Sequence, residues 1–145
     1  MKTKTLLAMA LCAAVGSLAN QTSFAQEQKG QTEHKEGVEK VKIPATVDGI
    51  LTAIHAEQKE LADTVKAKKL GDVHHHAFAI RDLAKALPAK ANSDHKKMVE
   101  NAVKKVSQIA EDLDKSGDAG DQAKTEANLK QFDAALKTLE EHAKM

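Results

Sequence analysis

The sequence predicts an all-α protein: an antiparallel up-down-up-down four-helix bundle preceded by a cleaved signal peptide and a flexible leader. Beyond Pro44, every long segment repeats its apolar residues at steps of three and four, which is the period of an amphipathic helix. The same segments lack the apolar–polar alternation of strands and the turn dipeptides of hairpins. We therefore divide the 145 residues into a signal peptide (1–25), a leader (26–44) and a bundle (45–145).

The first 25 residues have the parts of a secretory signal peptide. Lys2 and Lys4 precede an apolar run over residues 6–15, and small residues stand three and one positions before a cut after Ala25. The run is too short for a membrane-spanning helix, which needs roughly 20 residues. We expect cleavage after Ala25, with Ala19 as the alternative, and a periplasmic product without a membrane anchor.

The composition of the mature chain excludes several classes of function. Cys12 is the only cysteine and lies in the segment to be removed, which excludes disulfides, thiolate metal sites and covalently attached haem. Loss of Lys2 and Lys4 leaves 20 basic and 21 acidic side chains, and the chain has no Trp or Tyr. Nucleic-acid binding proteins carry a basic face and usually stacking aromatic residues, so nucleic acid is not an expected partner.

The leader contains many charges and few large apolar residues, so it cannot bury enough surface to fold. The first helix should take Thr46 as its N-cap and run to about Lys69. The second should begin at Asp72 and end before Pro88, because proline disfavours a helical conformation in the residue before it. The apolar seams are Val47, Leu51, Ile54, Leu61 and Val65 in the first helix and Val73, His76, Ile80, Leu83 and Leu87 in the second.

The third helix should take Ser93 as its N-cap, and the fourth should take Asp118 or Asp121. Short connections imply that each helix packs antiparallel to the next. The alternative is a three-helix bundle in which the shorter second helix packs less regularly. The connections are 70–71, 89–92 and 115–120, and the seams are Val99, Ala102, Val106, Ile109 and Leu113, then Leu129, Phe132, Leu136 and Leu139.

Three consecutive histidines, His74, His75 and His76, suggest a metal site, because neutral imidazole binds zinc, copper and nickel. Neighbouring helical residues point roughly 100° apart, however, so the three cannot converge on one ion. We expect His76 to face the core, His75 to lie at its edge and His74 to point outward. The alternative is weak metal capture by this cluster, with His34 of the leader as a further ligand.

A second candidate metal site depends on height within the bundle. Residues at equal distance from a shared loop lie side by side, which places His55, His95 and His142 near one level. Met98, one turn beyond His95, could add a soft ligand suited to copper. The alternative is that seven histidines spread over the chain share a level by chance.

Other chemistries fit the sequence less well. Residues 112–121 begin like a calcium loop, but Ala123 stands where the bidentate glutamate belongs. A helix end, a glycine turn and an aspartate N-cap explain the same residues. The first helix offers no methionine near its start as an axial ligand, so haem is not expected. No serine has an evident histidine and aspartate partner, and we expect no enzymatic activity.

Three stretches carry a resemblance that covers nearly the whole mature chain: AIHAEQKELA (53–62), HAFAIRDLAKALPAK (76–90) and LDKSGDAGDQAKTEANLK (113–130). Together they resemble small uncharacterised exported helical proteins of Gram-negative bacteria. Some of those proteins are associated with heavy-metal efflux systems. The resemblance therefore implies a metal-efflux system or another envelope protein as the partner.

The resemblance also implies a role for His55 and His74, the histidines that match its pattern. His75 and His76 depart from an acidic and an apolar residue at those positions. His55 and His74 lie at different heights in the predicted bundle, so they cannot share an ion within one chain. A homodimer could bring them together.

Two functions follow from these observations. The first is a periplasmic metal-binding accessory protein, a histidine-based buffer or carrier for copper, zinc, nickel or cobalt. The second is a non-catalytic envelope interaction or stress protein that binds no metal. Export, the absence of cysteine and the seven histidines favour the first.

Overall fold

The computed structural model describes residues 41–145, which fold into four α-helices and contain no β-strand. The predicted all-α class is confirmed. The predicted signal peptide and the leader as far as residue 40 lie outside the described residues, whereas Val41 packs half-buried against the core. The elements in chain order are α1 (Val47–Lys66), a 3₁₀ turn (Leu70–Asp72), α2 (Val73–Lys85), a 3₁₀ turn (Leu87–Ala89), α3 (Lys96–Asp118) and α4 (Gln122–Ala143).

Each helix packs against the helix that follows it, and α1 also packs against α4. The short helix α2 contacts both α1 and α3, so it contributes to the core as a full member of the bundle. Phe132 of α4 is fully buried and is the largest residue of the core. No helix within residues 41–145 is long and apolar enough to cross a membrane.

The predicted apolar seams supply most of the buried residues, because removing those side chains from water drives the packing. Val47 and Leu129 are only half-buried. In α2 the prediction that His76 faces the core is wrong, since Ala77 is fully buried and occupies that face instead.

Three of the four helix starts agree with the sequence prediction, including that of α2, which begins at Val73 with Asp72 as its N-cap residue. The Thr46 side chain accepts a hydrogen bond from the Gly49 amide, and Asp121 accepts one from the Lys124 amide. The prediction that Ser93 caps α3 is wrong, because its hydroxyl contacts neighbouring side chains instead. Residues 93–95 form a turn, and α3 begins only at Lys96.

The end of α3 also differs from the prediction, because the helix continues through Gly117 to Asp118. Gly120 makes the turn into α4, with a positive φ of 66° that favours glycine. The helix α1, by contrast, stops before the predicted Lys69, and Lys68 adopts a φ of 60° in the connection. The residues that resemble a calcium loop therefore lie largely in a regular helix.

Candidate metal centre

His74 of α2 lies beside Asp114 and Asp118 of α3. One ligand atom from each of the three side chains lies within 4.8 Å of the other two. Within residues 41–145 this is the one such group of three or more histidine, aspartate, glutamate or cysteine side chains. We call the end of the bundle that holds these residues the aspartate end.

Helix geometry explains why the two carboxylates face the same way. Asp114 and Asp118 are four residues apart in α3, a spacing that puts side chains on one helical face in adjacent turns. His74 is the second residue of α2, so its position depends on how the connection from α1 is placed against α3. One glycine determines that placement.

Gly117, between the two aspartates, is buried against the 3₁₀ turn. A Cβ atom at this position would stand 2.6 Å from the carbonyl oxygen of Leu70 and 3.4 Å from Cβ of Val73. A side chain would therefore push the turn away from α3. Because His74 directly follows Val73, this backbone contact brings the imidazole to the carboxylates.

The three donors suit a divalent cation. His74 and Asp114 are half-buried and Asp118 is exposed, so one side of the group is open to water. In zinc sites imidazole nitrogen and carboxylate oxygen lie about 2.0–2.2 Å from the ion, which leaves donor atoms about 3–4 Å apart. Small side-chain movements would bring the group to that spacing.

The other two consecutive histidines do not join the group. His76 is half-buried, and its Nδ1 lies 2.8 Å from Oε2 of Glu57 on α1. His75 is exposed, and its ring centroid lies 3.9 Å from that of His74 at a tilt of 43°. The prediction that His74 is the outward residue is thus wrong, since His75 takes that position.

We call the opposite end of the bundle, which holds His55, His95 and His142, the far end. His55 is mostly exposed, and its Nε2 lies 3.1 Å from Oε2 of Glu140 on α4. Lys144 contacts the other oxygen of Glu140 at 2.5 Å. The hydrogen bond from Lys144 lowers the pKa of Glu140, burial opposes that shift, and His55 lowers the pKa further.

The far end does not gather its three histidines. His95 and His142 are half-buried, and the Nδ1 atom of each is buried without a hydrogen-bond partner. They do not form a group with His55 of the kind found at the aspartate end. Met98 is 38% exposed. His34, the further ligand suggested by the sequence, lies outside the described residues.

Sequence reasoning missed Asp114 and Asp118 as partners of His74. The available signal was their spacing of four residues in a segment that continues the seam of α3. A predicted connection over residues 115–120 put Asp118 outside α3, as a possible N-cap of the next helix, and Asp114 in a calcium-like stretch. The helix instead continues to Asp118, which brings both carboxylates onto one face.

Comparison of this chain with protein families, with characterised proteins and with solved structures finds no match. The feature of this chain that bears on function is the meeting of one imidazole and two carboxylates from two helices.

Proposed function

We propose that this protein is a periplasmic metal-binding accessory protein that holds a divalent transition-metal ion between His74, Asp114 and Asp118. It buffers the ion or passes it to an efflux system or another envelope protein. The convergence of the three donors carries the proposal. Metal sites inside helical bundles are commonly built in this way, from side chains on facing helices.

Further support comes from the sequence. The signal-peptide pattern directs the chain to the periplasm, and the absence of cysteine from the mature chain leaves imidazole and carboxylate as its strong metal ligands. The resemblance to exported proteins associated with heavy-metal efflux implies a role for His74. The proposal takes the four helices as an antiparallel up-down-up-down bundle released by cleavage after Ala25.

Calorimetric titration of the purified protein with Zn²⁺ tests the proposal. We expect a dissociation constant on the order of 10 μM or tighter. The His74→Ala variant should bind far more weakly. His75→Ala is the matched control, because it removes an adjacent imidazole that lies outside the group.

Thermal unfolding gives an independent measurement. At a free zinc concentration of 100 times the dissociation constant, binding should stabilise the native protein by about 2.7 kcal/mol. A variant that replaces His55, His95 and His142 together should keep this stabilisation. Loss of binding in that triple variant, with retention in His74→Ala, would move the site to the far end and overturn the proposal.

The alternative function is an interaction protein of the envelope without a metal. It predicts no zinc binding by the wild-type protein beyond that of a histidine-poor helical bundle. That result would also reject the metal function as a whole.

A further inference from the structure

We infer that the site at the aspartate end selects divalent cations of the zinc, cobalt and nickel type and excludes copper(I). The inference rests on the proposed function and narrows it, since the histidine content alone admits copper in either oxidation state. Two observations support it, the donor atoms and the charges along α3, and the open side of the site bears on how the ion is released.

The donor set contains one nitrogen and two oxygens and no sulfur. Imidazole and carboxylate suit borderline and hard divalent ions, whereas copper(I) is selected by thiolate and thioether ligands. Met98, a methionine of the described chain, lies on α3 about 30 Å from Asp118 at 1.5 Å per residue. Met145 follows the end of α4, a full helix length from its start near Asp118. Neither thioether can reach the site.

The charges along α3 run against the helix dipole. The first turn carries Lys96 and Lys97 and no acidic residue, although a helix N-terminus favours negative charge. The C-terminal turns carry Asp114 and Asp118, with Lys115 as the basic residue of the last turn. Negative charge at a helix C-terminus is unfavourable, and two like charges four residues apart repel.

A bound dication reverses both unfavourable terms at the end of α3. It brings positive charge to the negative pole of the dipole and separates the carboxylates electrostatically. Purely structural aspartates would be better placed at the start of the helix, as Asp121 is in α4. With respect to the dipole of its own helix, the position of Asp118 is therefore unfavourable, and a bound dication removes that term.

The exposed position of Asp118 also affects how the ion is held. Three protein donors leave at least one coordination position for water or for a ligand from a partner, as in zinc sites that exchange their fourth ligand. The site is thus suited to holding an ion that a second protein can remove. Copper(II) cannot be used to test this selectivity, since it binds most nitrogen and oxygen sites more tightly than zinc does.

Competition with chromophoric chelators under anaerobic conditions tests the inference, with Zn²⁺, Co²⁺ and Cu⁺ as separate probes. Wild-type protein should compete for Zn²⁺ and Co²⁺ with a chelator whose dissociation constant is about 10 μM or weaker, and should leave Cu⁺ with its chelator. Asp118→Asn should weaken zinc binding by about tenfold or more. Glu111→Gln, which removes the same charge from the same helix outside the group, should change it by less than about twofold.

The melting temperature of the metal-free Asp118→Asn variant distinguishes a metal ligand from a residue that stabilises the fold. If Asp118 stabilised the fold, the variant would melt at a lower temperature than the wild-type protein. We expect it to equal or exceed that of the wild-type protein, because an unfavourable charge is removed. A lower melting temperature together with unchanged zinc affinity would show that Asp118 serves the fold and would overturn the inference.

The remaining outcomes separate the inference from the proposed function. Preferential uptake of Cu⁺ that is lost in Met98→Leu would overturn the inference and leave a metal-binding function standing. Failure of every probe to bind the wild-type protein would reject both. Uptake of Zn²⁺ and Co²⁺ that depends on Asp118 supports both.

Discussion

The two ends of the bundle use the same kinds of side chain to different effect. At the aspartate end, His74 meets two carboxylates from a single face of α3. At the far end, His55 pairs with Glu140, which also contacts Lys144, while His95 and His142 keep buried ring nitrogens without partners. One end brings three potential metal ligands together, whereas at the other end the Glu140 carboxylate is paired with side chains of the protein.

The difference lies in the backbone. Gly117 lets the connection between α1 and α2 rest directly on α3, which brings His74 to Asp114 and Asp118. At the far end the close glycine contacts are those of Gly49 with Pro44 and Thr46 of its own segment, not with another helix. The number of histidines is therefore a poorer indicator of a candidate metal site than a close backbone contact that brings ligands from two helices together.

Of the changes considered, replacing Gly117 with alanine should most reduce the difference between the aspartate end and the far end. The new Cβ would meet the Leu70 carbonyl oxygen, and overpacking of this kind costs about 1–3 kcal/mol, only partly offset by the better helix propensity of alanine. We expect a net loss of about 2 kcal/mol in the free energy of unfolding, measured by urea denaturation, and weaker zinc binding. The matched control is Gly71→Ala, where a Cβ would meet no atom within 4 Å. Equal stability of both variants would contradict the role given to Gly117.

Replacing Asn128 with alanine should have a smaller effect that leaves the site intact. The Asn128 amide donates to the carbonyl oxygen of Asp112 at 2.9 Å and to the hydroxyl of Ser116 at 3.1 Å, which ties α4 to α3 in a buried position. We expect a loss of about 1 kcal/mol in the free energy of unfolding. Zinc affinity should stay near that of the wild-type protein.

The control for this change is Thr138→Ala, which removes an exposed hydrogen bond from a side chain of α4 to its own helix. It should have almost no effect on stability. A loss of zinc binding in Asn128→Ala equal to that in Gly117→Ala would show that any loosening of the aspartate end destroys the site. That result would contradict the specific role assigned to the Gly117 contact in positioning His74.

The smallest expected effect is a pH dependence at the far end. Lys144 first, and then His55, hold the pKa of Glu140 below its ordinary value of 4.5, while burial opposes them. A carboxylate with a lowered pKa stabilises the native state above its unfolded-state pKa, and this contribution is lost as the pH falls through the folded-state pKa. The advantage of the wild-type protein over Glu140→Gln in melting temperature should therefore shrink as the pH is lowered from about 6 to 3.

Lys144 contributes with the opposite sign, because Glu140 raises its pKa. Its contribution is present below its ordinary pKa and declines as the pH rises through the folded-state value. Glu141→Gln, a change at the exposed neighbouring glutamate, is the control and should follow the wild-type protein across the acidic range. A melting difference for Glu140→Gln that does not vary with pH would contradict this account.

Much of the fold could be predicted because the helices bury apolar residues at a regular period, and because Thr46 and Asp121 cap in the usual manner. The start of α3 could not, since the Ser93 hydroxyl had competing neighbours on both sides. The prediction that His76 faces the core failed for a different reason. Alanine occurs on either face of a helix, so the apolar pattern of the sequence did not indicate that Ala77 is the buried residue.

The candidate site was harder to predict than the fold. His74 and Asp114 are separated by two helix segments and an irregular connection, so equal distances from the loop centre do not place residues side by side. Gly117 reads as a turn residue in the sequence, whereas it serves as a packing surface inside a helix. The partners of His74 depend on that tertiary contact.

The division of the donors between α2 and α3 also has a consequence for the order of events in a cell. No short stretch of the chain contains the complete set, so the set forms only after the two helices have met. Under the proposed export and the proposed metal binding, a chain that crosses the inner membrane unfolded would cross without an ion. It would bind metal only in the compartment where it folds, so its metal occupancy would report the metal content of that compartment rather than of the cytosol.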